Sequence, residues 1–277
     1  MRRLKAYTHA DKRSVAKVAF LRNGATAMAL FPRWTNTVSK VMGAASLLVP
    51  ATAVVALWYT ARTPAVTNQA IEYAQPVQFD HRHHNWEQGI ECRYCHSAVE
   101  TSANAGIPST TICVGCHGQV WNKSPRLEPV RQAFFAEKPI AWLKVHDLPD
   151  FVYFNHSAHV NKGVGCVSCH GRVDQMPAVR QVEPLTMQWC LDCHRNPKLN
   201  LRPLDQITSM TWNADEVAKE HLVEEMVASG KTHHQATEQI ASIGGLGEIA
   251  KERDRMGTEL YETLKVHPRV ACDTCHR

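Results

Sequence analysis

All ten cysteines of this 277-residue chain fall, without remainder, into five copies of one pentapeptide, CxxCH. The copies are Cys92, Cys95 and His96; Cys113, Cys116 and His117; Cys166, Cys169 and His170; Cys190, Cys193 and His194; and Cys272, Cys275 and His276. No thiol is left for a disulfide, so the cysteines are committed in pairs to one repeated chemistry. Aromatic residues make up 7% of the chain and hydrophobic residues 44%, modest material for a large apolar core. Something other than side chains is expected to fill the interior.

Two thiols three positions apart suit thioether bonds to the two vinyl groups of a haem, and the histidine that follows reaches the iron from the same side. A lone CxxC also reads as a zinc half-site or a redox dithiol. Zinc requires the pairs to combine into closed four-ligand sets, and a thioredoxin-like dithiol requires a βαβ context that the sequence does not show. Five copies therefore predict five covalently bound c-type haems, with the ten cysteines as attachment points and His96, His117, His170, His194 and His276 as proximal iron ligands.

Five proximal histidines leave five irons in need of a sixth ligand, or open to a substrate. FDHRHHNWEQGIECRYCH (79–96) supplies His81 and His84, and FNHSAHVNKGVGCVSCH (154–170) supplies His156 and His159 at the same spacing. Residues three apart on a helical turn point from one face, about 5–6 Å apart at Cβ, so the two members of a pair serve two different haems. Each short turn then clamps a pair of haems together. Further candidate ligands are His267, His146 and the thioethers of Met176 and Met187, of which a methionine raises the potential of its haem. For both methionines the competing role is core packing. His83 is expected to contact a propionate or solvent, and His9, His221, His233 and His234 to be surface or hydrogen-bonded residues.

Charge divides the chain. Residues 1–40 carry nine Lys/Arg against one acid, whereas the remaining 237 carry 22 against 25, so the overall +5 is a property of the N-terminal tail. The basic excess lies outside the motif-bearing region, which argues against nucleic acid as a partner. Between the two parts, Val41 to Tyr59 is a run of nineteen uncharged residues, about 28 Å long as a helix and matched to a bilayer. Pro50 is tolerable in a membrane helix, and Trp58 and Tyr59 suit an interface. The positive-inside rule puts the basic tail in the cytoplasm and the haem motifs on the periplasmic face of the inner membrane, where c-type haem is attached. A cleaved signal peptide and a buried soluble helix are the competing readings. The forty-residue basic region and an apolar run longer than the usual h-region of about 7–15 residues disfavour the first.

At an offset of 75, Phe79 superposes on Phe154, His81 on His156 and His84 on His159, while Cys92 falls one position from Cys166 and Cys113 two from Cys190. The expected organisation is a basic tail (1–40), a transmembrane helix (41–60), a first dihaem unit (61–130), a second (131–205), and a helical segment with the fifth haem (206–277). GIPST, SPRLEP and RNPKLNLRP predict loops, with short helices around each CxxCH. The fold class is thus a mainly irregular, multihaem ectodomain on a single N-terminal helix. NADEVAKEHLVEEMVASG, capped by Asn213 and carrying Val217, Leu222 and Met226, predicts one helix. GLGEIAKERDRMGTELYETL predicts a second, after a break at Gly244 and Gly245.

FxHxxH followed by CxxCH, then AGIPST, LPDFVYFNHSAHV, CVSCHG and LTMQWCLDCHRNP, resembles the membrane-anchored multihaem cytochromes of the class III/c7-like type, and among these the pentahaem subunits of bacterial alternative complex III. The resemblance covers residues 36–277, is specific in its haem order, and is looser over 200–265. It implies a periplasmic subunit held beside an iron–sulfur protein of the molybdopterin type that lacks molybdopterin, and beside integral membrane subunits carrying a quinol site. Electrons would pass to a monohaem cytochrome, a soluble carrier or a terminal oxidase. It also implies that His81 ligates the haem on His96 and His156 the haem on His170, with His84 and His159 each reaching a neighbouring haem.

A relay without catalysis of its own is the expected function, because sixth ligands are available for most of the irons. The alternatives are a multihaem enzyme that converts nitrite or hydroxylamine, and a stand-alone multihaem quinol dehydrogenase. Every motif ends in His, never in the CxxCK variant that resembles the catalytic haem of nitrite reductases, and one membrane helix makes a poor enclosed site for a quinone ring. Ten haem propionates would add to the −3 of residues 41–277, favouring partners with basic patches.

Overall fold

The structure is a computed structural model that describes residues 31–276, so His9 and most of the basic tail lie outside the described residues. The chain divides into two compact units, 1–60 and 61–277.

Among its described residues the first unit contains one helix, α1 (Trp34–Thr60), with no buried residue. At 27 residues it is long and apolar enough to cross a membrane, extending about 40 Å at the usual rise. It begins seven residues before the uncharged run, and Pro50 lies inside it. Its hydroxyl groups are turned back on the backbone: Ser46 donates to the Gly43 carbonyl at 2.8 Å and Thr52 to the Leu48 carbonyl at 2.9 Å. Little side-chain polarity is then left on the surface of the helix.

The second unit is mostly irregular chain with short helices. Among the described residues it contains no β-strand, only isolated bridges such as Val164 with Leu201. The helices longer than one turn are α2 (Thr110–His117), α3 (Glu128–Phe135), α4 (His156–Val160), α5 (Met187–Arg195), α6 (Ala214–Ala228), α7 (His233–Ala241) and α8 (Ile243–Thr263). The mainly irregular, short-helical fold class expected from the loop and motif pattern is the one found.

One cluster of buried apolar side chains lies in the C-terminal helices. Ala218 of α6, Ile240 of α7 and Ile249 of α8 are buried together, with Leu222, Val223, Met226 and Met256 packed around them. Three helices build this module, where the sequence pattern predicts two. Thr232 accepts from the Gln235 backbone N–H and Gln235 returns a bond to the Thr232 N–H, a capping box that starts α7. The glycine pair is not a break: α8 begins at Ile243 and runs through it. A Cβ on Gly245 would collide with the Ile240 carbonyl, so the glycine permits the abrupt passage from α7 to α8 across Ser242.

The module is tied to the rest of the unit by α8. A Cβ on Gly257 would meet the Lys198 carbonyl at 2.7 Å, and the Lys198 ammonium donates to the Thr258 hydroxyl at 2.9 Å. Beyond the end of α8, the Leu264 carbonyl accepts from the Lys162 ammonium at 2.8 Å, next to α4. The helix thus runs from the segment after the fourth CxxCH to the turn that carries His159, and delivers the chain to the fifth.

Candidate haem-binding sites

Each CxxCH forms a helical turn. The single turns Cys92–Cys95 and Cys272–Cys275 are closed by His96 N–H and His276 N–H on the carbonyls of Cys92 and Cys272, both at 2.9 Å. His170 N–H closes the third on the Cys166 carbonyl at 3.0 Å, and the second and fourth motifs lie within α2 and α5. Cysteines at i and i+3 on such a turn share one side of it, as double thioether attachment requires.

The two FxHxxH copies also fold alike. Phe79 stacks on His84 (centroids 4.2 Å, planes 22° apart) and meets His81 edge-on at 4.7 Å; Phe154 stacks on His159 (4.5 Å, 27°) and meets His156 edge-on at 4.8 Å. One phenyl ring thereby sets the orientation of two imidazoles. Sequence reasoning assigned these phenylalanines no role, although their recurrence at the shared offset was the available signal. The turns differ in winding. The second is an α-turn whose Asn155 side chain accepts from Ala158 N–H, whereas the first is a π-turn, Arg82–Glu87, begun by Asp80 and ended at Gly89 with φ +67°.

Two imidazoles bound on opposite sides of one metal ion, each through a bond of about 2 Å, hold their ring centroids roughly 6 Å apart. His84 and His117 face each other at 6.1 Å, His156 and His170 at 6.4 Å, and His159 and His194 at 6.0 Å. The separations leave room for an iron in each of the three pairs. For His81, burial and then the neighbouring His96 are the largest influences lowering its pKa, to about 4. His156 and His159 thus address different motifs, and His84 addresses the second.

Ring orientation is fixed by the backbone. Nδ1 of His84, His96, His117, His156, His159, His194 and His276 bonds to the carbonyls of Asp80, Gly106, Val120, Ala103, Asn155, Arg269 and Phe151, at 2.7–3.2 Å. An Nδ1–H donating to a carbonyl selects the tautomer whose Nε2 lone pair is free for a metal, and makes that nitrogen more basic. Burial lowers the pKa of His81, His146, His159 and His170, the last to about 3, which keeps these rings neutral as coordination requires. The residues present fit the haem group. Large apolar side chains beside the motifs, among them Tyr94, Ile107, Trp121, Phe151, Tyr153 and Met187, are more than half exposed, a surface that a broad planar cofactor would cover.

The remaining candidates are placed differently. His146 lies edge-on to His170 at 4.4 Å, too close for an iron between them, and its Nε2 is buried without a protein partner. Met176 is 4% exposed, in the turn after the third motif, and Met187 is 68% exposed at the start of α5. His267 is exposed, and no ring contact joins it to a motif histidine among the described residues. The ring beside His276 is that of Phe151, at 5.7 Å. His83 bonds to Glu87 at 2.8 Å and stacks on Trp121 (5.9 Å, 8°). His221 bonds to Glu252, and His234 pairs with Glu238.

No family model matches the chain. A multihaem cytochrome c subunit of menaquinone reductase from Nitratidesulfovibrio vulgaris (strain Hildenborough) is 41% identical over 101 residues, which is 35% of this chain and 45% of that protein. The chain therefore matches less than half the length of this curated relative.

Proposed function

We propose that this chain is a membrane-anchored pentahaem cytochrome c that relays electrons within a quinol-linked oxidoreductase assembly of the alternative complex III kind. The broader class, a multihaem cytochrome c with covalently attached c-type haem in quinol-linked electron transfer, rests on the motif set and on the relative's identity across 101 residues. The observation that carries the finer reading is the facing of His84, His156 and His159 on three different motif histidines at 6.0–6.4 Å. These three pairs would hold their irons with no position left for a substrate, which favours a relay over catalysis at those sites.

Haem iron supplies the one-electron couple. The protein's part is to fix and space its ligands. Phe79 and Phe154 lock the paired histidines, main-chain carbonyls fix the tautomers of His84, His156 and His159, and burial lowers the pKa of His81 and His159. The expected division into two dihaem units (61–130 and 131–205) and a fifth-haem segment belongs to this reading. So do α1 as an inner-membrane anchor, a periplasmic haem domain, and partners comprising an iron–sulfur protein, quinol-binding membrane subunits and an accepting cytochrome or oxidase.

Two measurements test the proposal. The mass of the acid-denatured chain should exceed that of the bare polypeptide by five haems. The native protein should be low-spin and bind little carbon monoxide; a large CO-reactive, high-spin fraction would overturn the relay reading. The relative's name favours a second reading, in which electrons pass from the haems to menaquinone. Purified complex that reduces a menaquinone analogue from reduced cytochrome, and does not oxidise quinol, would establish that direction.

A further inference from the structure

We infer that the five attachment sites form one unbranched string in the order second, first, third, fourth, fifth, so that electrons enter and leave through the second and fifth sites. The inference rests on the five-haem reading and adds an order that differs from the order in sequence.

The two histidine turns give the inner links. His84 faces His117, and the turn that carries it is bonded to the chain entering the first motif, where the His84 carbonyl accepts from Ile90 N–H (3.0 Å) and the Ile90 carbonyl from the Asn85 amide (2.8 Å), so the first and second sites are clamped together. His156 and His159 share α4 and face His170 and His194, which clamps the third and fourth. The two clamps meet through the loop that follows the first motif. Ala103 carbonyl accepts from both the backbone N–H (3.1 Å) and Nδ1 (2.9 Å) of His156, Ser102 carbonyl accepts from Ser157 N–H (3.2 Å), and Glu100 carbonyl from the Asn161 amide (2.9 Å). Arg172, just past the third motif, lies over the Trp86 ring of the first turn at 5.5 Å. The first site is thereby set against the third, and the partly buried thiols of Cys92 and Cys166 are neighbours.

The fifth site joins the fourth. His194 Nδ1 is fixed by the Arg269 carbonyl three residues before Cys272 (2.8 Å), Tyr153 N–H donates to the Cys275 carbonyl (2.8 Å), and Cys190 has Cys275 as a charge neighbour. The second site, in contrast, is bounded by its own unit: α2 packs on α3, and Trp121 stacks on His83. Exposure agrees with the order. Of the ten cysteines, the two classed as exposed are Cys116 of the second motif and Cys272 of the fifth, while the other eight are partly buried. Each end of the string thus carries an exposed attachment cysteine, on a surface that another redox protein can approach.

The deciding measurement is the structure of the haem-loaded full chain in its complex, with each iron assigned by the cysteines that carry its haem. The nearest-neighbour iron pairs should be second with first, first with third, third with fourth, and fourth with fifth. A second-site iron nearest to the third, fourth or fifth, or a first site with one neighbour, overturns the order. Fewer than five irons sinks the five-haem reading while leaving the order of those present open to the same inspection. Redox titration of His84→Met and His81→Met gives an independent solution readout. Each variant should raise the potential of its own haem. His84→Met should then shift one other haem and His81→Met two, since the second site is an end and the first is interior. The reverse pattern contradicts the string.

Discussion

The imidazole planes of His156 and His170 lie within 10° of parallel at a centroid separation of 6.4 Å, whereas those of His84 and His117 cross at 69° and those of His159 and His194 at 55°. The relative twist of two axial imidazoles sets how far the iron dπ orbitals are split. Parallel rings split them most and give a well-resolved rhombic low-spin EPR signal, and crossed rings give a broad signal of large g anisotropy. We expect the third haem to contribute a rhombic signal that His156→Ala removes. Persistence of that signal in the variant would assign it elsewhere and contradict the pairing.

Phe154 is the shared support of His156 and His159, so Phe154→Ala should free both distal ligands. The ring contacts are worth about 0.5–1.5 kcal/mol each, a loss large enough to let either imidazole leave its iron part of the time. CO binding is expected to rise at the third and fourth haems and to stay at the native level at the second. Phe79→Ala should give the mirror pattern, with the first and second haems affected. Equal CO uptake by the native protein and both variants would remove the phenylalanines from the site.

Gly163 has φ +84°, and a Cβ there would lie 2.7 Å from Leu264 Cδ1 and 2.9 Å from the Arg202 carbonyl. It sits between the turn bearing His159 and the end of α8. Gly163→Ala combines left-handed backbone strain with overpacking, roughly 2–4 kcal/mol together. Thermal unfolding of the haem-loaded protein should report the loss, with the spectrum of the fifth haem changing before the others.

Glu252 is 8% exposed on α8 and accepts from Arg255 Nε at 2.7 Å and from His221 Nδ1 of α6 at 3.2 Å. Its hydrogen bonds to Arg255 hold its carboxyl below the usual value of 4.5. A carboxyl with a depressed folded-state pKa contributes stability that is present above 4.5 and lost as pH falls through its folded value. Glu252→Gln should therefore cost about 1–2 kcal/mol at neutral pH. The gap to the native protein should close in acid; a gap that stays constant across that range would refute the ionic role.

Legibility in the sequence follows the range of the interactions. The five motifs, the paired histidines and the long apolar helix are local patterns, and each lies on a local structure, a helical turn or a helix. The short-range details that were missed have identifiable causes. The Thr232 and Gln235 capping box starts a helix that its weak apolar spacing concealed, and Gly245 reads as a breaker although it serves a close approach between α7 and α8. The groups that orient the histidines leave no trace, because a main-chain carbonyl is supplied by any residue. Nothing in the names Ala103, Gly106, Phe151 or Arg269 marks them as partners of His156, His96, His276 and His194.

That anonymity has a consequence for how such a chain tolerates change. Seven imidazoles take their bearing from peptide oxygens, which survive nearly any replacement of the side chain attached to them. Mutational drift can therefore recolour the exterior of the wire, altering its charge and its docking contacts, while the geometry that grips the metal stays insulated in the peptide backbone.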